Sequence, residues 1–518
     1  WNPEVNGAEI ESISELEDII RKNFPGIAAR KDFRKLISDA AHHFELFHEF
    51  GAKENIPRGT ISSLSKERGL SPTSLKRWIR EGAKPRIYFL IGHVPADERR
   101  KRIERILSKL NGATNMDELE RRLKTLFYYK SMSTGRSFAD NQENARKFFQ
   151  FLKEYASGGT LKNIAKKIGI GKSTINEWLR HSQLPTNVKV ASLIPKTETK
   201  RGNKWLPLRL DPIQNIPTDF IQVPESITKS EDLLDVLKQL ASLETNETKE
   251  YEKQFGKLPR EITFMYLLGL IVSDGGFASD TDSSAKVSLF ASKKYPWSSE
   301  LGKAFCYAMG RIGFFAERKS DYERERSGKT DVFRVWESEA SPFFMWLKNA
   351  LLGLEVSDKK KETPIHADWV LDMPREWRVA FLQGLADGDG SASIRQFRVN
   401  IGTVTNHDFI LRLLSTFGLH TSIEKTKVRV DRYDDILKAK GLPFFKHAIS
   451  RKEGLDELSK IITRLDRSHG KVDSKDLKLV LELYHRGYSC GEIVEKLWLD
   501  YGIARSRKSI EGIVRRYT

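Results

Sequence analysis

The chain has 518 residues, 39% of them hydrophobic, with a formal net charge of +18 and a pI near 9.5. That length exceeds one domain, the hydrophobic share excludes a disordered chain, and no apolar run reaches the ~20 residues of a membrane span. The basic excess points to a polyanionic partner, nucleic acid before an anionic membrane.

The two cysteines, Cys306 and Cys490, lie outside any ligand-like cluster, so structural zinc and a disulfide framework are not expected. With no signal peptide visible, a reducing, cytoplasmic, DNA-containing compartment is the expected location.

In chain order, the first feature is a repeat at an offset of 100 residues. Gly59-Thr60-Ile61-Ser62-Ser63-Leu64 through Gly69-Leu70-Ser71 aligns with Gly159-Thr160-Leu161-Lys162-Asn163-Ile164 through Gly169-Ile170-Gly171. Ser74 to Arg80 then faces Thr174 to Arg180. Each copy reads helix, glycine turn, helix, with a further helix upstream (Lys31 to Phe50; Asn144 to Tyr155). The pattern resembles the helix-turn-helix, which sets its second helix in the DNA major groove. The exposed positions of those second helices, Lys76, Arg77 and Arg80, and Lys172, Asn176 and Arg180, are the candidate DNA contacts, while Trp78 and Trp178 belong to the apolar face. The expected domains are 1–110 and 111–200.

Trp205 to Val223, rich in proline, reads as a connector with little regular structure, and Ser230 to Phe255 as charged helix. Together they form an expected linker over 201–256.

The central region, 257–468, repeats its own plan: a motif helix, strands, a helix, strands and a further helix. Two motifs 115 residues apart open the halves. They are Leu267-Leu268-Gly269-Leu270-Ile271-Val272-Ser273-Asp274-Gly275 and Leu382-Gln383-Gly384-Leu385-Ala386-Asp387-Gly388-Asp389-Gly390. Gly269 and Gly384 permit close approach of two helices at a cost of ~1 kcal/mol each relative to alanine. Gly275 and Gly390 are expected to end the helices in the left-handed conformation. Asp274 and Asp389 fall where a helix already carries partial negative charge, so paired acids there point to a divalent cation between them, with Mg²⁺ the best match to oxygen ligands. The polar strand face Gln396, Arg398 and Asn400, backed by Phe397, Val399 and Ile401, has groove-reading chemistry. Lys425, Lys427 and Arg429 alternate likewise, with Lys286, Arg318 and Arg334 as first-half counterparts.

The tail, 469–518, reads as a third helix-turn-helix: Leu477 to Arg486, Ser489 to Trp498, and a basic helix from Ser506 to Tyr517.

The two central motifs resemble those of the LAGLIDADG homing endonucleases, single-chain type. The resemblance covers about Leu258 to Arg467. It implies an α+β fold: a pseudo-symmetric (αββαββα) core repeated twice, here flanked by all-α helix-turn-helix domains. It implies a monomer that hydrolyses double-stranded DNA with two or more divalent ions, Mg²⁺ here, bound by Asp274 and Asp389. It also implies a catalytic lysine near each centre. Lys446, after Pro443-Phe444-Phe445, is one candidate; Lys361, with Lys360 beside it, is the other. The sixth motif position departs between copies, Val272 against Asp387, so the first centre is expected to be the weaker. The alternative function is a DNA-binding regulator on an inherited nuclease fold, against which the retained acid pair argues. An intein is not expected, because no Cys or Ser opens the sequence and no His-Asn ends it.

Overall fold

The computed structural model describes residues 4–5, 8–9, 12–23, 25–50, 60–80, 85–87, 96–127, 136–159, 161–181, 183–195, 199–211, 216–281, 284–326, 329–360, 362–467 and 474–518. They form two compact units, 1–120 with 136–195, and 121–135 with 196–518.

Apart from a short ribbon of β1 (Glu4–Val5) and β2 (Ala8–Glu9), the first unit is helical. Phe33–Phe50, Thr60–Arg68 and Pro72–Arg80 make the first repeat; Arg136–Ala156, Leu161–Ile168 and Lys172–Asn176, continued by a π turn to His181, make the second. Gly69 and Gly169 take the turns at φ +63° and +70°, a conformation that glycine adopts at little cost. Trp178 is 4% exposed between Phe148 and Phe151, with ring centroids 5.3 and 5.7 Å away. Trp78 packs edge-on against His43 at 5.6 Å. Both tryptophans therefore build cores.

In the second unit, the connector is more regular than its composition implies. Strands β3 (Asn203–Leu210) and β4 (Pro217–Pro224) pair antiparallel. Pro207, Pro217 and Pro224 are tolerated because both strands are edges of a two-stranded ribbon, bridged on the outer side of β3 at Trp205 to Thr125 and Phe127. Its apolar residues Leu206, Leu208, Ile221 and Val223 are buried. Ser341 Oγ and Trp346 Nε1 donate to its Leu208 and Pro224 carbonyls and fasten it to the core.

The two motif helices, Arg260–Val272 and Arg375–Asp389, form the centre of that core. Every residue from Thr263 to Val272 is buried. The seam between the helices is backbone on backbone. A Cβ at Gly269 would lie 2.0 Å from Phe381 O, and one at Gly384 would lie 2.0 Å from Tyr266 O. The relation is reciprocal, and only glycine permits it.

Each motif helix feeds a mixed arrangement of strands and helices. The first sheet runs β5 (Gly275–Thr281), β6 (Ser284–Ser292), β9 (Lys329–Ser338), β7 (Ala316–Arg318), with β8 (Tyr322–Arg326) also paired to β9. The second runs β10 (Gly390–Ser393), β11 (Arg398–Gly402), β13 (Lys427–Val430), β12 (Ser422–Glu424). Helices Ser298–Arg311 and His407–Ser415 separate the strand groups in each half. Period-two alternation is clear in β13, where Val428 and Val430 are buried, whereas Val399, Asn400 and Ile401 of the central strand β11 are all buried.

The expected left-handed ends at Gly275 and Gly390 do not form. Gly390 is extended, at φ −80° and ψ 162°, and both glycines start strands. They are required for space: a Cβ at Gly275 would sit 2.5 Å from Ile271 Cα, and one at Gly390 2.5 Å from Ala386 O. A helix that turns straight into a strand leaves no room for a side chain.

The tail helices Ser474–His485, Cys490–Tyr501 and Arg507–Tyr517 pack on this same unit. Arg395 pairs with Glu492 and Glu495, and Trp498 Nε1 donates to Glu457 at 2.7 Å.

Candidate active site and nucleic-acid face

The geometry of the site begins at motif position seven. Ser273 and Gly388 meet across the helix seam: a Cβ on Gly388 would fall 2.0 Å from Ser273 Oγ and 3.2 Å from Asp274 N. The hydroxyl fills the space that the glycine leaves, and it donates within its own helix end to the Gly269 and Leu270 carbonyls. Position eight follows at once on both helices, so Asp274 and Asp389 flank this contact. The two acids line one cleft of about 240 Å³ with Phe290, Tyr295, Trp297 and Arg451. Asp389 is exposed and Asp274 half-buried.

Each helix end carries a resident cation. Lys360 Nζ donates to Ile271 O at 2.7 Å and to the Ser273 and Gly275 carbonyls at 2.5 Å. Arg451 Nη1 donates to Ala386 O at 3.1 Å, Asp387 O at 2.5 Å and Gly388 O at 2.7 Å. Both cations oppose the negative end of the helix dipole where an acid adds to it. The misplaced charge that pointed to a metal is thus partly met by the protein itself.

Asp387, at position six, is not a candidate ligand. It is fully buried, and its carboxylate accepts from the backbone N–H of Lys446 (2.9 Å), His447 (2.8 Å) and Ala448 (3.2 Å) and from Tyr266 Oη (2.9 Å). Burial pushes its pKa up, and those hydrogen bonds pull it back. It pins the start of helix Ile449–Arg467 to the second motif helix. Val272, its counterpart, has no such capacity. In the first half Lys360 makes the tie instead.

Lys446 lies 5.1 Å from the centroid of the Tyr266 ring. Burial lowers its pKa to about 8, against the pull of Asp387. Lys361 lies outside the described residues, and its neighbour Lys360 is the lysine that reaches the first motif. Tyr251 Oη and His447 Nε2 are 2.8 Å apart, and burial, then Lys446, lower the His447 pKa to about 3.

That last shift carries a sign. An unfolded histidine takes its proton near pH 6.5, whereas the folded one refuses it until about 3. The unfolded state therefore binds more protons below pH 6.5, and stability falls as pH drops through that window, by at most about 1.4 kcal/mol per pH unit. His447→Gln is expected to flatten this acid limb in urea melts taken between pH 7 and 5. An unchanged limb would assign the acid sensitivity elsewhere.

The predicted DNA contacts are distributed unevenly. In the first unit Lys76, Arg77 and Lys172 are exposed and Asn176 half-buried; the side chains of Arg80 and Arg180 lie outside the described residues. In the second sheet, Arg398 and Arg429 stand on the polar face, and Glu424 holds both, at 2.6 and 3.7 Å. Lys427 is exposed beside them. Gln396 and Lys425 sit in turns, not on strands; Lys425 has φ +50°. Asn400 is only 4% exposed, its Nδ2 turned to Ser391 Oγ, so it does not present a base-reading edge.

In the first sheet, Lys286 lies on the row opposite the buried Val287 and Leu289. Arg334 points the other way. It pairs in register with buried Ala291 and donates to Ser298 Oγ under the sheet. Arg318 is at the sheet edge, over the Trp336 ring and bonded to Asp321. Neither arginine is offered to a groove, because strand parity places them on the helix-packed side.

The donor set fits a divalent ion of the Mg²⁺ type. Two carboxylates beside backbone carbonyls are all hard oxygen, and they leave most of the coordination shell to water or phosphate. Among the described residues, no group of three or more His, Cys, Asp or Glu side chains forms a complete protein cage.

Residues 376–461 match the family model described as a LAGLIDADG-like domain. The match spans the second motif helix, the second sheet, Lys446 and Arg451; the first motif helix lies outside it. No curated protein matches the chain. Among solved structures, the chain is similar to the homing endonuclease I-WcaI bound to its DNA recognition sequence, at 16% identity over 44% of this chain and 98% of that one, with a TM-score of 0.30. It is also similar to I-DmoI in complex with DNA and Ca, at 14% identity over 38% of this chain and 98% of that one, with a TM-score of 0.26.

Proposed function

We propose that this chain, with its LAGLIDADG-like domain, is a site-specific endonuclease that hydrolyses both strands of DNA with Mg²⁺ held by Asp274 and Asp389. The observation that carries the reading is the contact of Ser273 with Gly388, which brings two acids from two helices into one cleft. A bound ion there would polarise a phosphate and lower the pKa of an attacking water. The chain's own residues supply the rest. Lys360 and Arg451 hold the helix ends, and Lys446, with a pKa of about 8, is poised to exchange a proton near neutral pH. The two halves act as pseudo-symmetric partners within one monomer. Their polar sheet faces, with Lys427, Arg398, Arg429 and Lys286, lie against the duplex, and the helical repeats of the first unit and the tail add helix-turn-helix contacts.

One observation favours the second reading, a DNA-binding regulator that does not cut. Lys360 and Arg451 already offset charge at the helix ends, so keeping both acids does not by itself demand a metal. The two readings part in one experiment. The full chain is incubated with a randomised duplex pool and Mg²⁺, and ends are sequenced beside an EDTA control. The nuclease reading expects Mg²⁺-dependent cuts at one motif. Enrichment of bound but uncut duplexes would establish the regulator.

A further inference from the structure

Arg451 belongs to no motif, yet it joins the two halves at the acid pair. It is the third residue of helix Ile449–Arg467. Its guanidinium carbon lies 4.7 Å from the Trp297 ring centroid and 5.7 Å from that of Tyr295. Those rings stack on each other at 5.1 Å and 18°, forming an aromatic shelf contributed by the first half. Trp297 Nε1 donates to Ser450 Oγ at 2.8 Å, which fixes the shelf to the same helix. The other side of the guanidinium is spent on the Ala386, Asp387 and Gly388 carbonyls, immediately before Asp389. Burial pulls its pKa down, and Asp274, Tyr295, Asp387 and Asp389 pull it up. A guanidinium stays charged throughout.

We propose that Arg451 is a positioning residue that ties the aromatic shelf to the end of the second motif helix and, as a fixed cation lining the same cleft as Asp274 and Asp389, limits how tightly a divalent ion binds them. The inference rests on the two-acid metal site proposed above. A cation fixed in the cleft that two carboxylates line repels a second cation entering it. The shelf keeps the guanidinium from swinging into the ion's place, because cation–π contact is strongest where water is excluded.

The two roles give opposite signs in one variant. Mn²⁺ affinity is measured by titration, and melting temperature without metal, on the full chain. Arg451→Met is expected to melt lower without metal, yet to bind Mn²⁺ more tightly by on the order of tenfold. Arg451→Lys, which keeps the charge, is expected to stay near wild-type Mn²⁺ affinity. A purely structural arginine would lower stability and affinity together. Should Arg451→Met fail to fold, Arg451→Gln keeps a donor for the carbonyls and removes the charge, and it too should bind Mn²⁺ more tightly. A folded Met or Gln variant with unchanged or weaker Mn²⁺ binding overturns the inference while leaving the metal site standing. Wild-type Mn²⁺ affinity no better than that of the Asp274→Asn/Asp389→Asn double variant overturns both.

Discussion

Asp389→Asn is expected to reduce cleavage of a cognate duplex by at least about a hundredfold to a thousandfold, with DNA affinity kept within a few-fold. Asparagine preserves the shape and one carbonyl oxygen but removes the charge that a divalent ion requires. Asp389 is exposed at the end of its helix, so the change does not touch the core. Asp274→Asn should behave alike, because the two acids flank one contact and line one cleft. Combining them should add little, since groups that act as a unit are not additive. Plasmid nicking and linearisation, beside a gel-shift measurement, separate chemistry from binding. Full cutting by either single variant would remove these carboxylates from the site.

Asp387→Ala is expected to be the most destabilising single change at the site, by about 3–5 kcal/mol. The carboxylate accepts from the backbone N–H groups of Lys446, His447 and Ala448 and from the Tyr266 hydroxyl in the interior. Removing it leaves buried donors unpaired, each at about 1–3 kcal/mol. It also frees the segment that places Lys446, so cleavage should fall together with stability. Urea midpoints at constant slope read the loss. A change below about 1 kcal/mol would show that water replaces the carboxylate, and that the Lys446 turn holds itself.

The seam of this fold was legible in the sequence because glycine has few reasons to sit inside an apolar helix. Gly269 and Gly384 signal close packing, and each sits against the other helix's backbone. The glycines after the acids do not reveal their role in sequence, because a helix end and a helix-to-strand corner use the same residue for different reasons. Prolines hide the β3–β4 ribbon, since composition does not reveal that a strand lies at a sheet edge. The side that Arg334 faces is not legible in the sequence, because one residue of register decides which side a strand residue faces. The run Lys359-Lys360-Lys361 has no periodicity to choose among its members; the structure shows Lys360 reaching the first motif helix, while Lys361 lies outside the described residues. Arg451 carried no local signal at all. Its role comes from the shelf of Tyr295 and Trp297, more than 150 residues earlier in the chain.

The central claim is that Asp274 and Asp389 share a divalent ion beneath bound DNA. A crystal structure of the full chain with its selected duplex and Mn²⁺, examined by anomalous scattering, tests it most directly. The account predicts an anomalous peak about 2.1 Å from an oxygen of each carboxylate, close to a backbone phosphate. A peak on other residues, or a duplex seated away from the Asp274–Asp389 cleft, would contradict it.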